Sequence, residues 1–460
     1  MKTLSLTVTF AVSLFLFFQS PSLQARGLCR KISDVATRVN YSGDDSDSDI
    51  EIIEGSENAS INVLQRQFEA RLARILHRRW TPKYIQAFSH ILENEEPHLT
   101  RKAKEQDRVI VNSLTSRTVA FQTPFLPLYF LPNGDVLSPL FKYSIAKGMH
   151  KEIFSLDGVR MNGDHPESVD YVLQTDLKSN DSWGLTREAP TFKALRERAK
   201  NGQSIEGLLD GYVVIDDNKG GIEDDYLVIQ RRLDHTLKEY TKGFFVNRDK
   251  PGYSIWRRNL ILTQIALGLK NLHEMSLVHG DLTDTNILLN LSKTQAFISD
   301  FGLTFNPTQE MFPRSSANCE APEMPEQYAL RSVRPDAVSR IQKRDLYGFG
   351  LLSVRFLPGY FPTSLYESCK ELFSDYTGRG EKWGKYGECI KKEALTLHSL
   401  ITSYASDYCT EGDPYCYENI VRDCLNPDPD LRPSAQNVWE RLSHLNQKQG
   451  WVMLVSDPQL

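Results

Sequence analysis

The sequence predicts an α+β fold in two lobes, because strand patterns precede helical patterns along the folded part of the chain. Residues 211–217 (GYVVIDD) and 225–232 (DYLVIQRR) are short β-rich runs joined by an acidic, glycine-containing turn. This arrangement predicts an antiparallel pair of strands. Residues 254–275 carry apolar side chains at helical spacing, and the patterns after residue 340 are helical as well. The buried stripe predicted for the first of these helices contains Leu260, Ile265 and Leu269.

The composition is that of an ordinary globular protein. Of the 460 residues, 40% are hydrophobic and 25% are charged, and the formal net charge is −5. A chain with this balance is not a general binder of polyanions, so any basic surface must be local. We therefore expect no nucleic-acid partner.

The N-terminal segment is expected to lie outside the folded domain. Residues 1–25 carry Lys2, an apolar run over residues 4–18 and small residues at the end, which predicts a secretory signal peptide. The apolar run is too short to span a membrane well. Residues 26–60 are acidic, serine-rich and poor in large apolar side chains, which predicts a disordered segment or a propeptide.

Residues 61–119 are predicted to form a basic, helical extension. Within residues 62–80, apolar side chains recur at helical spacing and five arginines fall mainly on the other faces. Such a helix can lie on an anionic membrane, or it can pack on the next domain with its arginines facing water. Residues 120–445 have a globular pattern and are taken as one domain, and residues 446–460 are expected to form a C-terminal tail.

Seven cysteines occur in the chain, and six of them follow residue 318. The predicted signal peptide implies an oxidising compartment, so disulfide bonds are expected in the C-terminal part. Their pairing cannot be read from the sequence. The chain contains neither a Cys-x-x-Cys pair nor a histidine-rich cluster, so a zinc site is not predicted.

The motif with the clearest chemistry is HGDLTDTN, residues 279–286, which we call the catalytic loop. Phosphoryl transfer to a hydroxyl group needs a carboxylate that orients the hydroxyl and accepts its proton, together with oxygen ligands for magnesium. Asp281 and Asn286, five positions apart in one loop, can supply both. On its own, this spacing also fits a turn held by Asp and Asn side chains.

Four further motifs follow the catalytic loop. ISDFGL ends a β-rich run with a second carboxylate, Asp300, and APE ends at Glu323. RDLYGFG contains Asp345, and DLRPS contains Arg432. Five landmarks in this order over about 150 residues argue against chance.

Residues about 140–445 resemble the eukaryotic protein-kinase fold. The signal-bearing N-terminus, the cysteine-bearing C-terminal part and a broken glycine loop further resemble a rhoptry kinase of apicomplexan parasites, in the branch that lacks the glycine-rich loop. The resemblance implies a small β-rich N-lobe with a degenerate glycine loop, a helical C-lobe, and the use of ATP and Mg2+ to phosphorylate protein hydroxyl groups. It also implies a rhoptry or another secretory organelle, then the lumen or membrane of a parasitophorous vacuole. Because related proteins bind the vacuolar membrane through arginine-rich helices, it favours membrane association of residues 62–80.

The same resemblance implies a role for each residue of the chemistry. Asp281 is the proton acceptor, and Asn286 and Asp300 hold magnesium. Glu188, with Phe192 and Leu195 four and seven positions later, takes the place of the glutamate on the N-lobe helix that orients the phosphate-binding cation. Retention of Asp281, Asn286 and Asp300 favours an active enzyme, whereas the lost glycines and an uncertain lysine favour a pseudokinase that acts as a scaffold or allosteric partner.

Small-molecule kinases are the alternative family. Aminoglycoside- and choline-type phosphotransferases also carry HGDLxxxN. Their loop resembles residues 279–286 more closely than the HRD loop of protein kinases does. They lack the APE segment and its late arginine, however. In protein kinases the residue at Glu323 pairs with the one at Arg432, and the residue at Asp345 braces the catalytic loop. These landmarks favour the protein-kinase architecture over a small-molecule or lipid kinase.

The catalytic loop departs from the protein-kinase pattern at two positions. Gly280 stands where most members have an arginine that binds a phosphate on the activation loop, so control by such a phosphate is not expected. Thr283 stands where Ser/Thr kinases have a lysine that contacts the transferring phosphate. The loop therefore leaves Ser/Thr against Tyr specificity open, and family preference favours Ser/Thr.

The glycine loop is the largest departure from the pattern. SIAKGMHKEIFSL, residues 144–156, aligns with the glycine loop so that Ala146, Gly148 and Lys151 take the three glycine places. Glycines there allow backbone N–H groups to approach phosphates. With one glycine left, the nucleotide is expected to be bound differently or more weakly.

The lysine that usually binds the phosphates is not obvious. Lys178 in that place would put an acidic side chain against adenine, whereas Gln174 would put a valine there. Gln174 also lies 14 residues before Glu188, closer to the usual spacing than the 10 residues from Lys178. We favour Gln174 in that place and hypothesise that Lys151 supplies the missing cation. The alternative is that Lys151 is a solvated lysine at a strand edge.

Residues 228–234 (VIQRRLD) resemble the hinge that binds adenine. The pattern makes Ile229 the gatekeeper, the side chain that limits the pocket behind adenine. The backbone from Gln230 to Arg232 is expected to contact the adenine ring. A β-branched gatekeeper of this size predicts a restricted back pocket.

Overall fold

In the computed structural model of the chain, the residues described are 96–112, 128–147, 151–162, 165–176, 185–215, 226–242, 255–308, 321–323, 338–357, 369, 381–410 and 412–450. The predicted signal peptide, the acidic segment, residues 62–80 and Lys178 lie outside the described residues. The chain divides into two compact units, Met1–Lys147 with Ile153–Leu173 and Gly148–Glu152 with Gln174–Leu460.

The first unit is built from one helix and a series of strands. Its elements are α1 (Glu96–Gln106), β1 (Ile110–Asn112), β2 (Leu128–Phe130), β3 (Val136–Lys147), β4 (Lys151–Asn162) and β5 (His165–Asp176). The strands are hydrogen-bonded neighbours in the order in which they follow one another. β4 begins, and β5 ends, with residues that belong to the second unit.

A glycine turn joins β2 to β3. Gly134 has a φ of +93°, the left-handed region that glycine favours, and Leu131 N–H donates to the backbone oxygen of Asp135. Asp135 is buried, and its carboxylate accepts hydrogen bonds from Tyr171 Oη (2.6 Å) and Asn133 Nδ2 (3.0 Å). These bonds satisfy a buried charge at the turn.

The second unit contains two short strand groups and most of the helices. Its elements are α2 (Leu185–Lys200), β6 (Gly211–Ile215), β7 (Tyr226–Arg231), β8 (His235–Thr236), α3 (Leu237–Thr241), α4 (Ile255–Glu274), β9 (Ile287–Leu289), β10 (Ala296–Ile298), α5 (Val338–Val354), α6 (Glu381–Tyr408), α7 (Tyr417–Cys424) and α8 (Ala435–Lys448). β6 and β7 are antiparallel, with Gly211 opposite Gln230, so the predicted strand pair is confirmed. β9 lies between β10 and β8 in a second, three-stranded sheet. The order of strands first and helices afterwards confirms the predicted α+β class.

The long helix α4 forms where the sequence predicts it, but its buried face is wider than expected. Ile265 and Leu269 are fully buried, as predicted. Leu260 is only half-buried, and Ile261 and Leu262 take the buried positions instead. α4 contacts both α8 and β10, so a broad arc of the helix faces the core and a single stripe does not describe it.

Two helices begin at side-chain caps that follow from the sequence. Thr236 Oγ1 accepts from Glu239 N–H, and Glu239 Oε2 accepts from Thr236 N–H, which forms a capping box at the start of α3. Ser434 Oγ accepts from Asn437 N–H at the start of α8. α3 follows the predicted hinge directly, so the capping box fixes where the chain turns after β7.

Two disulfide bonds lie in the C-terminal part of the chain, where disulfide bonds were predicted. Cys369 pairs with Cys389, and Cys409 pairs with Cys416. Cys424 is a free thiol inside the core, and its burial raises the pKa of the thiol to about 12. That thiol is unreactive because it does not ionise at physiological pH.

Among the described helices, we find none with the length and apolar character needed to cross a membrane.

Candidate active site

The catalytic loop follows α4 and leads into β9, and its two predicted site residues are hydrogen-bonded to each other. Asn286 Nδ2 donates to the backbone oxygen of Asp281 (2.9 Å) and to its carboxylate Oδ2 (3.0 Å). Asn286 is buried, whereas Asp281 is partly exposed. The loop therefore presents an oriented carboxylate that a substrate hydroxyl can reach.

Asp345, buried in α5, holds the catalytic loop by its backbone. The N–H groups of His279 and Gly280 donate to its carboxylate at 2.8 and 3.0 Å, and His273 Nε2 lies 2.9 Å from the same group. Burial alone would raise the pKa of Asp345, but the hydrogen bonds and charges of His273 and His279 hold it below its usual range. The ionised carboxylate accepts both backbone bonds, as predicted for a residue that braces the loop.

Asp300 is presented by a short turn that packs on the catalytic loop. It precedes a 3-10 helix over Phe301–Leu303, and its own backbone is left-handed with a φ of +62°. The Phe301 ring meets Phe192 of α2 edge to face at 5.4 Å and His279 at 5.7 Å. These ring contacts join α2, the Asp300 turn and the catalytic loop.

Lys151, the first residue of β4, places its ammonium group between two carboxylates. Its Nζ contacts Glu188 Oε1 and lies 2.7 Å from Asp300 Oδ1. The Glu188 side chain is 1% exposed, and that of Lys151 is 16% exposed. The contact between Lys151 and the helix carboxylate is the arrangement that the hypothesis of a substitute lysine requires.

One ammonium group cannot match two carboxylates, and the pKa values of the three groups reflect this. Burial raises the pKa of Glu188 to about 8, where Asp300 adds to the shift and Lys151 opposes it. Burial also opposes ionisation of Asp300, but the charge and hydrogen bond of Lys151 hold its pKa well below the usual range. Burial opposes the charge on Lys151 as well, but the two carboxylates raise its pKa. Burial therefore favours a proton on Glu188, whereas Lys151 favours the ionised form of Asp300.

Gln174 points to the predicted hinge. Its Nε2 donates to Gln230 Oε1, and no hydrogen bond joins Gln174 to Glu188 among the described residues. Gln174 Oε1 and Gln230 Nε2, both buried, have no partner in the part of the chain that the structure describes. Arg232 is exposed just after β7, and Lys178 is not among the described residues.

The predicted gatekeeper Ile229 and the hinge residue Gln230 are both buried in β7. In the antiparallel pair, Gly211 lies opposite Gln230, and Tyr212 lies opposite Ile229. A Cβ built on Gly211 would lie 3.1 Å from both Gln230 Cγ and the Phe192 ring of α2. The role of Ile229 as the gatekeeper stays a prediction.

Glu323 and Arg432 form a fully buried ion pair, as the resemblance implied. Arg432 Nη1 and Nη2 each donate to a Glu323 carboxylate oxygen at 2.7 Å. The guanidinium also donates to backbone oxygens of Asn426 and Lys343 and lies over the Tyr347 ring. Because the geometry is bidentate and the other donors are used, the pair is well compensated for its loss of water.

Two contacts of the catalytic loop were not predicted. Asp284 is buried and pairs with Arg355, just after α5, at 2.8 Å. Arg344 Nη2 donates to the backbone oxygen of Gly280 at 2.6 Å. The only signal for them in the sequence is a second Asp within the loop and an Arg directly before Asp345.

The donors in the site suit magnesium. Mg2+ prefers hard oxygen ligands, usually one or two carboxylates with waters and substrate phosphates. Asp300 offers an ionised carboxylate whose side chain is 46% exposed, and Asn286 offers an amide oxygen. These two residues fit the metal-binding role that the resemblance implies.

Comparison with known proteins agrees with this geometry. The protein kinase domain model matches residues 223–442. The chain is 31% identical over 185 residues to a probable LRR receptor-like serine/threonine-protein kinase of Arabidopsis thaliana, covering 39% of this chain and 16% of that protein. It is 25% identical over 295 residues to a probable serine/threonine-protein kinase of Dictyostelium discoideum, covering 61% of this chain and 14% of that protein.

A third relative is mitogen-activated protein kinase kinase 9 of Arabidopsis thaliana, with 31% identity over 132 residues that cover 27% of this chain and 40% of the relative. The chain spans less than half the length of each of these three proteins. The matched domain contains the catalytic loop, Asp300, Glu323, Asp345 and Arg432. The chain therefore has a protein-kinase-like α+β fold, strand-rich in its N-terminal part and helical in its C-terminal part.

Proposed function

We propose that this chain is an active protein kinase that transfers the γ-phosphoryl group of ATP to Ser or Thr hydroxyl groups of proteins. The observation that carries the proposal is the contact of Lys151 with both Glu188 and Asp300. That contact supplies a cation where Gln174 supplies none. The serine/threonine-protein kinases among the relatives support the choice of acceptor.

Each residue of the site then has a task in the transfer. Asp281 accepts the proton of the substrate hydroxyl, with its carboxylate oriented by Asn286. On nucleotide binding, Lys151 exchanges its contact with Asp300 for one with phosphate oxygens, and Glu188 keeps the ammonium in place. Asn286 and Asp300 would hold Mg2+, which would supply positive charge against the phosphates.

The test of enzyme activity uses the purified full-length chain with Mg-ATP and a general protein acceptor. We expect phosphate on Ser or Thr of the acceptor, and no transfer by an Asp281→Ser variant, because the proton acceptor is gone. Equal phosphate incorporation by both proteins, or none by either, contradicts the proposal.

The role of Lys151 is tested by comparing two lysines. Lys151→Met should abolish ATP binding or transfer, because no other cation contacts Glu188 in the described part of the chain. Lys178→Met should keep both. ATP binding measured by thermal shift, followed by the transfer assay, separates a binding defect from a chemical one. Full activity of Lys151→Met with an inactive Lys178→Met would reverse the assignment.

A pseudokinase is the second candidate, and a specific observation favours it. Gln174 stands where the phosphate-binding lysine is usual, and its amide is engaged by Gln230. In that case the fold serves as a scaffold or allosteric partner, and the same experiments would show nucleotide binding without transfer in both the wild type and Asp281→Ser.

We also propose that the chain enters the secretory pathway, reaches a rhoptry or similar organelle, and then acts in a parasitophorous vacuole, attached to an anionic membrane through residues 62–80. Two disulfide pairs support an oxidising compartment. The five arginines of residues 62–80 support attachment to anionic lipid. Deletion of residues 62–80 should release the protein from membrane fractions. A deleted protein that stays in the membrane pellet would show that this segment has another role.

A further inference from the structure

Arg344 is a buried arginine with an unusual position in α5. The residue directly precedes Asp345 in the sequence, and it is 2% exposed. Nη2 donates to the backbone oxygen of Gly280 at 2.6 Å, whereas Nη1 has no hydrogen-bond partner among the described residues. Burying a guanidinium with an unsatisfied nitrogen lowers stability, so stability alone does not explain why an arginine occupies this position.

The backbone at Gly280 has a conformation that would strain any residue with a side chain. Its φ is +82°, a region that side chains rarely adopt. A Cβ at this position would also lie 2.7 Å from the backbone oxygen of Leu303 and 3.2 Å from Arg344 Nη2. The space next to residue 280 is therefore already occupied by the guanidinium of Arg344.

The same guanidinium reaches the stretch that follows the Asp300 turn. It lies 5.8 Å from the centre of the Phe305 ring. Phe305 exchanges two backbone hydrogen bonds with Val278, of 3.0 and 3.1 Å, and Thr304 Oγ1 lies 3.4 Å from the backbone oxygen of His279. Arg344 thus contacts both the catalytic loop and the chain segment that runs beside it.

We propose that Arg344 is a positioning residue that holds the catalytic loop from α5, next to the position where Gly280 stands in place of the usual arginine. Its guanidinium donates to the Gly280 carbonyl, and the Asp345 carboxylate accepts from the His279 and Gly280 N–H groups. Two adjacent residues of one helix therefore hydrogen-bond to the same backbone segment. These hydrogen bonds are buried and need no phosphate on the activation segment. Its effect on turnover rests on the proposed kinase function, but its effect on the loop does not.

The test uses the full-length chain with Arg344→Met, Arg344→Lys and a matched control. Arg258→Met is the control, because Arg258 is also buried and lies over an aromatic ring, that of Tyr417, but does not touch the catalytic loop. Amide hydrogen exchange of residues 278–286 is measured first. Arg344→Met should increase exchange there by about tenfold or more, the change that corresponds to one lost charge-assisted hydrogen bond, and Arg258→Met should not change it.

Kinetics and phosphatase treatment give the second readout. Arg344→Met should lower kcat by about tenfold with little change in KM for ATP, because the loop is misplaced while the nucleotide contacts remain. The kcat of Arg344→Lys should lie between that of Arg344→Met and that of the wild type. Wild type treated with phosphatase should keep its activity.

Three results would overturn the inference. Unchanged exchange and kcat in Arg344→Met would show that the arginine is only a packing residue. Equal exchange increases in Arg344→Met and Arg258→Met would show general loosening of the fold. Loss of wild-type activity after phosphatase treatment would show that the loop needs a phosphate. If wild type transfers no phosphate at all, the exchange measurement still decides the role of Arg344 while the kinase proposal fails.

Discussion

Lys151, Glu188 and Asp300 form a group with one positive charge and two carboxyl groups. Asp300 is the more exposed carboxylate, and it keeps its negative charge against Lys151. Glu188 is buried and has no second partner for its Oε2 among the described residues. Lys151 is therefore shared between a buried carboxyl whose pKa is raised and an exposed carboxylate whose pKa is lowered.

The titration of Glu188 predicts a pH-dependent stability. Its pKa rises from 4.5 to about 8 in the folded protein, so the folded state binds this proton more tightly than the unfolded state. The stabilisation is complete below pH 4.5 and is lost as the pH rises to about 8. In parallel thermal unfolding scans, the Tm of the wild type should therefore fall relative to that of Glu188→Gln across this interval.

Glu197→Gln is the matched control for this experiment, because Glu197 lies exposed on the same helix. Its Tm curve should stay parallel to that of the wild type. A constant Tm difference between the wild type and Glu188→Gln over the same pH range would contradict the shifted pKa.

Among the secondary-structure elements, α5 connects the parts of the site. Asp345 holds the catalytic loop, and the backbone oxygen of Lys343 accepts from Arg432, whose guanidinium pairs with Glu323. The chain just after α5 supplies Arg355, which pairs with Asp284. One helix thus positions the loop and the APE segment together, so damage to its contacts should affect the whole fold.

The Arg432 pair gives a prediction at this scale. Arg432→Met should lower the free energy of unfolding by about 3–5 kcal/mol, because it leaves the Glu323 carboxylate buried without a partner. Arg340→Met removes the exposed ion pair of Arg340 with Asp430, whose side chains are 54% and 64% exposed. That change should cost less than about 1 kcal/mol. Urea unfolding measures both, and similar losses would mean that burial does not strengthen the Arg432 pair.

At the scale of the whole molecule, two disulfide bonds connect the long helix α6 and the residue that follows it to other parts of the chain. Cys389 lies within α6 and pairs with Cys369 before it, and Cys409 follows its last residue and pairs with Cys416. A disulfide stabilises mainly by restricting the unfolded chain, and the restriction grows with the length of the closed loop. The two cysteines are 20 residues apart in the Cys369–Cys389 bridge and 7 apart in the Cys409–Cys416 bridge. The two bridges should therefore contribute different free energies of stabilisation.

Replacing Cys369 and Cys389 by Ser should therefore destabilise the protein by about 1 kcal/mol more than replacing Cys409 and Cys416 by Ser. Urea unfolding of the two double variants, with and without reductant, measures the difference. Reductant should lower the stability of the wild type and of each double variant, because at least one bridge remains in each. Insensitivity of the wild type to reductant would show that the bridges do not form in solution.

The sequence by itself determined the α+β order, the long helix α4, the strand pair β6–β7 and the helix that carries Glu188. Each follows from spacing within a short segment, and such local patterns survive in the tertiary structure. It also identified Asp281, Asn286, Asp300, Asp345 and the Glu323–Arg432 pair, because these belong to motifs with a set order. The signal peptide and the role of residues 62–80 remain predictions.

Only the tertiary structure decided which lysine meets Glu188 and which arginine occupies the space beside Gly280. Lys151 is 37 residues from Glu188 and 149 from Asp300 in the chain, and Arg344 is 64 residues from Gly280. Contacts over such separations depend on strand register and on the packing of whole elements. No spacing within a single segment encodes them, because they form only when separate elements pack together.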